Sequence, residues 1–167
     1  SNTGPYDVRV SNQTDSYALL AIQGPSSTSS LGNLSTDDLQ QLNRTEIRTI
    51  DLAGHTCLVG RTGYTGEDGY EIFCSPDIAV EIWDSILDQD VTPCGLGSRN
   101  TLRLEAGMAL HGHEISNTIS PVESGLTGVV ALSKNDFIGK QAIVGILDSS
   151  PANHLMGMVM KDRSVPR

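Results

Sequence analysis

The chain has 167 residues, 38% of them hydrophobic and 19% charged, and its 11 Lys and Arg against 20 Asp and Glu give a formal net charge of −9. This composition suits one ordinary globular domain and argues against a disordered acidic tail or a general nucleic-acid binder, because a polyanion is held by clustered cations. Residues 1–95 carry 14 acids and 4 bases (net −10) and residues 96–167 carry 6 acids and 7 bases (net +1), so an anionic small molecule is expected to meet its cations in the second part.

No apolar run approaches the roughly 18–20 residues that span a bilayer, and no basic-then-apolar leader opens the chain. Ser1 and Asn2 read as an expression scar. Cys57, Cys74 and Cys94 are odd in number and lack CxxC spacing, which points to buried or half-buried free thiols in a reducing compartment.

Tyr17 to Gln23 (YALLAIQ) reads as a buried strand stopped by Gly24-Pro25, where a turn or helix begins. A weak helix is expected at Thr36 to Leu42, with Ser35 as its cap and Asp37 and Asp38 in the first turn. Ile47 to Leu52 and His55 to Arg61 flank Ala53-Gly54 as a hairpin. Tyr70 to Cys74 continues as a strand with Tyr70, Ile72 and Cys74 on one face and Glu71 and Phe73 on the other. Ser75-Pro76 starts a helix whose apolar stripe is Ala79, Ile82, Trp83, Ile86 and Leu87.

A short strand at Val91 to Gly95 then leads to a helix from Ser98 or Arg99 that ends before Gly107. The order β-α-β-β-β-α-β predicts an α+β fold, a ferredoxin-like sandwich of sheet and helices with its core at about residues 15–107. Beyond it lie a strand candidate at Gly128 to Leu132, a helix candidate at Gly139 to Leu147, a linker at Asp148 to Pro151 and a final apolar strand at Met156 to Met160.

Two segments carry chemistry. Gly63-Tyr64-Thr65-Gly66-Glu67-Asp68-Gly69 is neither a GxGxxG fingerprint nor a P-loop, and its glycines permit a tight loop with close backbone approach to a ligand. Glu67 and Asp68 read as solvated turn residues. Glu71, in an apolar strand beside that loop, either faces solvent or is half-buried and needs donors. A flat heterocycle with adjacent N–H groups would satisfy it through two parallel hydrogen bonds. In Gly95 to Gly107 (GLGSRNTLRLEAG), Arg99 and Arg103 lie one turn apart on one face. Arg99 sits in the first helical turn, where its charge opposes the helix dipole, and this favours a functional role. His113-Glu114 opens an HExxH pattern that fails at Asn117, and His111 and His113 lack a third ligand, so no metal is expected.

GYTGEDGYEI at Gly63 to Ile72, GLGSRNTLRLEAGM at Gly95 to Met108 and PVESGLTGVVALSKNDFIGKQAI at Pro121 to Ile143 together closely resemble the aminomethyltransferase (T-protein) family of the glycine cleavage system. Ile22-Gln23-Gly24-Pro25 and Arg163 to Arg167 resemble it too, and the similarity runs from about Asp15 to the end. The resemblance implies an enzyme with tetrahydrofolate as co-substrate, which takes an aminomethyl group from the lipoyl arm of the H-protein, releases ammonia and forms methylenetetrahydrofolate.

By position, Glu71 resembles the family's pterin-contacting glutamate and Arg99 its folate-contacting arginine. Tyr64 matches a third pocket wall and Met108 a further folate contact. The family's catalytic Asp is expected upstream of Thr3, so the catalytic residue stays unassigned within this chain. Residues 3–147 are then expected to be part of the folate-binding domain, with 148–167 a linker and the start of a C-terminal barrel. A central fragment of this kind is expected to be inactive alone.

Asn100 and Ser98 depart from the Asp and Ala usual beside that arginine. The implied location is the cytoplasm, or the mitochondrial matrix of a eukaryote, with no nucleic-acid or membrane partner. Two alternatives remain open: a folate-dependent demethylase of the same superfamily, and a non-catalytic folate-binding factor for iron–sulfur assembly. The latter's Lys-Gly-Cys-Tyr loop is absent from Arg61 to Glu67.

Overall fold

Four strands, Ala18–Gln23 (β1), Ile47–Leu52 (β2), His55–Gly60 (β3) and Gly69–Cys74 (β4), form one antiparallel sheet in the order β1-β4-β3-β2. They belong to a computed structural model that describes residues 7–149, 151 and 153–163. The chain divides into two units, Ser1–Leu102 and Arg103–Arg167. The expected scar at Ser1 and Asn2 and the last four residues of the RSVPR motif lie outside the described residues.

In the first unit the period of two decides which face is covered. Tyr70, Ile72 and Cys74 are buried while Glu71 and Phe73 are only half-buried, as the alternation in the sequence requires. Leu20 pairs with Ile72 and Ile22 with Tyr70 across β1 and β4, and Val59 pairs with Ile72 across β3 and β4. These residues share a core with Ile50, Leu52 and Cys57, with Leu31 of the short helix Ser27–Gly32 (α1), and with Ile82 and Ile86 of Ala79–Leu87 (α2). The result is the expected α+β layering of helices on sheet.

The β2–β3 turn is Ala53-Gly54, with φ of 51° and 81°. Both angles are positive, as a two-residue type I′ hairpin demands. Asp51 Oδ1 accepts the Gly54 N–H at 3.1 Å and so fixes the turn from its flank.

Local hydrogen bonding explains where the structure departs from the pattern. The helix expected at Thr36 to Leu42 shrinks to a 3-10 turn, Leu39–Gln41, capped by Asp38 rather than Ser35. Ser35 Oγ instead accepts from Asp37 N at 3.0 Å, and Asp37 accepts from Asp51 N at 3.1 Å. Ser and Asp side chains offer the backbone alternatives to a helix, and here the alternatives win. Ser75 caps a 3-10 turn, Pro76–Ile78, that feeds α2. Trp83 of α2, expected on the buried stripe, is 37% exposed.

The strand expected at Val91 to Gly95 does not form, since Pro93 has no N–H to give to a ladder. Leu96–Glu105 (α3) begins two to three residues earlier than expected.

In the second unit α3 ends as the sequence implies. Gly107, at φ 70°, donates to Leu104 O and Met108 donates to Arg103 O, a Schellman motif. The strand expected at Gly128 to Leu132 is instead a 3-10 turn, Thr127–Val129. Met156 to Met160 forms no strand, and Val159 is 95% exposed. Neither segment has a neighbouring strand to complete its backbone hydrogen bonds among the described residues, so an apolar run alone is not enough. Lys140–Ser149 (α4) forms where a helix was expected and runs two residues further. No helix of the described residues is long and apolar enough to cross a membrane.

Candidate functional site

The glycine-rich segment is a loop joining β3 to β4, and ion pairing closes its base. Arg61 donates from Nε to Asp68 Oδ1 at 3.0 Å and from Nη2 to Oδ2 at 2.7 Å, and its Nη1 donates to Leu42 O at 2.9 Å. The Arg61 guanidinium holds the Asp68 carboxyl below the usual carboxylate range, the shift expected of a carboxylate bonded to a cation. The main chain of Asp68 is also engaged, its carbonyl accepting from Gly24 N and Ser27 Oγ. Asp68 is therefore a structural clasp and not the solvated turn residue expected, whereas Glu67 is exposed. The spacing of Arg61 and Asp68 at the two ends of one loop was the available signal.

Gln23 explains two of the glycines. Its side-chain amide donates to Thr62 O at 3.2 Å and Tyr70 O at 3.3 Å, which lays it across the loop's entry and exit. A Cβ on Gly63, or one on Gly69, would collide with Gln23 Oε1. The loop thus needs glycine because a side chain of β1 already fills the space.

Glu71 sits in β4, half-buried, between Ala21 of β1 and Gly60 of β3. Thr62 Oγ1 donates to its Oε2 at 2.6 Å. A carboxylate has about four acceptor positions, so the Thr62 hydroxyl, its one side-chain donor among the described residues, leaves capacity for paired N–H donors. Arg99, near the start of α3, is exposed, and its guanidinium carbon lies 5.0 Å from the centroid of the Tyr64 ring. That is a cation–π distance, and it joins two of the residues singled out in the sequence.

Arg99 also lines a cavity of about 470 Å³ along β1, with Leu19, Trp83, Leu87, Pro93, Leu96 and Thr65 among its walls. The size suits a small molecule and the walls are mostly apolar. Glu71 and Tyr64 do not line it. Tyr64 meets its rim through Arg99, while Glu71 stands with Thr62 on the sheet. Cys94, expected to be at least half-buried, is exposed and lines the same cavity.

Met108 belongs to the second unit and is half-buried there. Its carbonyl accepts from Arg103 Nη1 at 3.2 Å. Arg103, which the sequence sets on the same helix as Arg99, is 2% exposed and bonds Glu114 Oε2 at 2.6 Å. Glu114 also accepts from Leu110 N at 3.0 Å, and this bond, together with Arg103, keeps its carboxyl below the usual range. Its partners are an arginine and a backbone amide, and among the described residues no group of three or more His, Cys, Asp or Glu is arranged to hold a metal.

A family model described as the GCVT N-terminal domain matches residues 1–134. The chain is 43% identical to an aminomethyltransferase of Lysinibacillus sphaericus, an alignment covering 99% of this chain and 47% of that protein. Its identity to the aminomethyltransferase of Bacillus subtilis is 41%, with 96% of this chain and 46% of that protein aligned. The fold matches the crystal structure of the glycine cleavage system aminomethyltransferase T from Bartonella henselae with a TM-score of 0.73 at 32% identity, over 81% of this chain and 38% of that one. The chain spans about half the length of the curated relatives it matches. Over most of its length, then, this chain belongs to the GCVT N-terminal domain family, whose relatives here are aminomethyltransferases.

Proposed function

We propose that the chain contributes the folate-binding half of an aminomethyltransferase. In this reading the whole protein transfers an aminomethyl group from the lipoyl arm of the H-protein to tetrahydrofolate and releases ammonia. The observation that carries it is the pairing of an exposed Arg99 with Tyr64, a residue of the loop that leads into β4 and its half-buried Glu71.

The residues suit the ligand. Glu71 would accept from the adjacent N–H groups of the pterin edge, and Thr62 holds its carboxylate in place for that. Arg99 would meet the anionic tail, with its side chain braced by the Tyr64 ring. Met108, taken over from the family pattern, would add an apolar contact. Bound tetrahydrofolate supplies the nitrogen nucleophile that captures the one-carbon unit. The part of this chain is to orient that nitrogen by holding both ends of the ligand, which lowers the entropic part of the barrier. The proton-handling carboxylate of the family pattern is expected outside this chain, so the 167 residues alone should not turn over.

Titration of tetrahydrofolate into the full-length protein tests the reading, with Glu71→Gln, Arg99→Ala and wild type compared. Glu71→Gln should weaken binding at least tenfold, the loss of about 1.4 kcal/mol expected when one charge-assisted hydrogen bond goes. Unchanged binding in both variants would remove these residues from the site. Formation of methylenetetrahydrofolate that depends on aminomethylated H-protein and is accompanied by ammonia, with no methylenetetrahydrofolate formed from sarcosine or dimethylglycine, separates the transferase from a folate-dependent demethylase.

A further inference from the structure

β3 and β4 each carry one cysteine, and the strand register brings them together. Leu58 pairs with Phe73 and Val59 with Ile72. One step further along the same antiparallel register sets Cys57 opposite Cys74, both within their strands. Each thiol is 2% exposed and both belong to the same buried core. Their side chains therefore lie on one face of adjacent strands as direct neighbours.

Opposed residues of an antiparallel pair have Cα atoms about 4.5 or 5.5 Å apart, depending on the hydrogen-bonding position. A disulfide accepts Cα separations of about 4.4–6.8 Å, so either position qualifies. The Cβ atoms of such a pair start about 4.5–5.5 Å apart and must close to about 3.8 Å. A bond made that way is strained, and strained disulfides are readily reduced.

We propose that Cys57 and Cys74 form an oxidisable dithiol, which a hydroperoxide converts to a reversible cross-strand disulfide that staples β3 to β4 around the glycine-rich loop. In the first step one thiolate takes the distal oxygen of the peroxide, giving a sulfenic acid and releasing the alcohol, or water from hydrogen peroxide. The second thiolate attacks that sulfur and expels hydroxide, which takes up a proton and leaves as water. Two thiols lose two protons and two electrons, and the peroxide O–O bond is the group reduced.

Burial pushes the Cys57 thiol up to about 11, with the neighbouring Cys74 and Asp51 adding to the rise, and burial also raises Cys74. The pair is accordingly slow to ionise and reacts only under sustained oxidant. The closed loop holds the Arg61–Asp68 clasp and Glu71, so the staple would bracket the segment assigned to ligand binding. The inference does not depend on that assignment.

Trypsin cuts after Arg61, between the two cysteines, so a Cys57–Cys74 bond joins two otherwise separate peptides. The test treats the folded, reduced chain carrying Cys94→Ser with hydrogen peroxide, alkylates the remaining thiols in denaturant and maps the unreduced peptides. A second sample keeps Cys94 and blocks it by alkylation before oxidation, in case the variant folds poorly. The expected result is the linked peptide pair, lost on treatment with dithiothreitol and absent from Cys74→Ser. The proposal fails if both thiols remain alkylatable, if only over-oxidised cysteine appears, or if the link forms solely in chain unfolded by urea.

Discussion

Arg61 and Asp68 close the glycine-rich loop with two parallel hydrogen bonds, at 3.0 and 2.7 Å, while the same guanidinium reaches Leu42 O. The pair is only partly shielded, with the side chains 25% and 37% exposed. Its worth is therefore set by geometry more than by charge. Arg61→Lys keeps the cation and loses the fork, and a lysine cannot serve Asp68 and Leu42 together. A loss of about 1 kcal/mol is expected, read as a lower urea midpoint with an unchanged slope. A slope change would mean that the loop also shapes the unfolded chain.

The same pair gives the chain an acid-sensitive element. Asp68 titrates below its ordinary value because Arg61 bonds its ionised form, so folding favours the carboxylate. Such a group stabilises fully above its unfolded pKa of about 3.9, and the contribution fades as pH falls through the lower folded value. Glu114, with its carboxyl also held down, acts in the same direction. Wild type should exceed Asp68→Asn in stability at pH 6, and the gap should narrow below about pH 4. Thermal unfolding of both proteins across that range checks it, and a gap that widens in acid would contradict the sign.

Gly63 and Gly69 are constrained by Gln23 more than by backbone angle. A methyl at either position collides with the far end of the Gln23 side chain, which can swing away at the cost of its bonds to Thr62 O and Tyr70 O. Gly63→Ala and Gly69→Ala should each fold and lose about 1–2 kcal/mol. In the Gln23→Ala background the loss on adding Gly63→Ala should shrink, because the clash is gone. Equal losses in both backgrounds, measured by urea unfolding, would assign the cost to the loop backbone instead.

Period-two alternation made Tyr70, Ile72 and Cys74 legible as core, and Ala53-Gly54 made the hairpin legible, because both are local rules of backbone geometry. Glu71 and Arg99 could be named for a related reason. A carboxylate in an apolar strand and a cation at a helix start each break a local rule, and functional sites are where such breaks are expected. The Tyr64–Arg99 stack was hidden because it depends on where chain segments meet, whereas the Arg61–Asp68 clasp had a signal in the spacing of its two charges at the ends of one loop. The strand expected at Met156 to Met160 failed for want of a neighbouring ladder among the described residues, which apolar character does not supply, and the one at Val91 to Gly95 is stopped by Pro93. The weak helix at Thr36 to Leu42 was lost to side-chain bonds from Ser35 and Asp37, which propensity does not count.

Arg103 and Glu114 pose the last test, because their side chains are 3% and 18% exposed and their 2.6 Å bond is tied to the Met108 carbonyl and the Leu110 amide. Removing Glu114 takes the carboxylate at 2.6 Å away from a buried guanidinium, which costs more than the pair contributes in place. Glu114→Ala should therefore destabilise by about 3 kcal/mol, near the low end for breaking a buried pair. Arg103→Met with Glu114→Leu should recover much of that loss, since the buried guanidinium goes together with its carboxylate. Circular dichroism of wild type and the two variants during urea unfolding separates the cases. If Glu114→Ala loses under about 1 kcal/mol, the pair behaves as a surface ion pair and its burial does not govern the loop that follows α3.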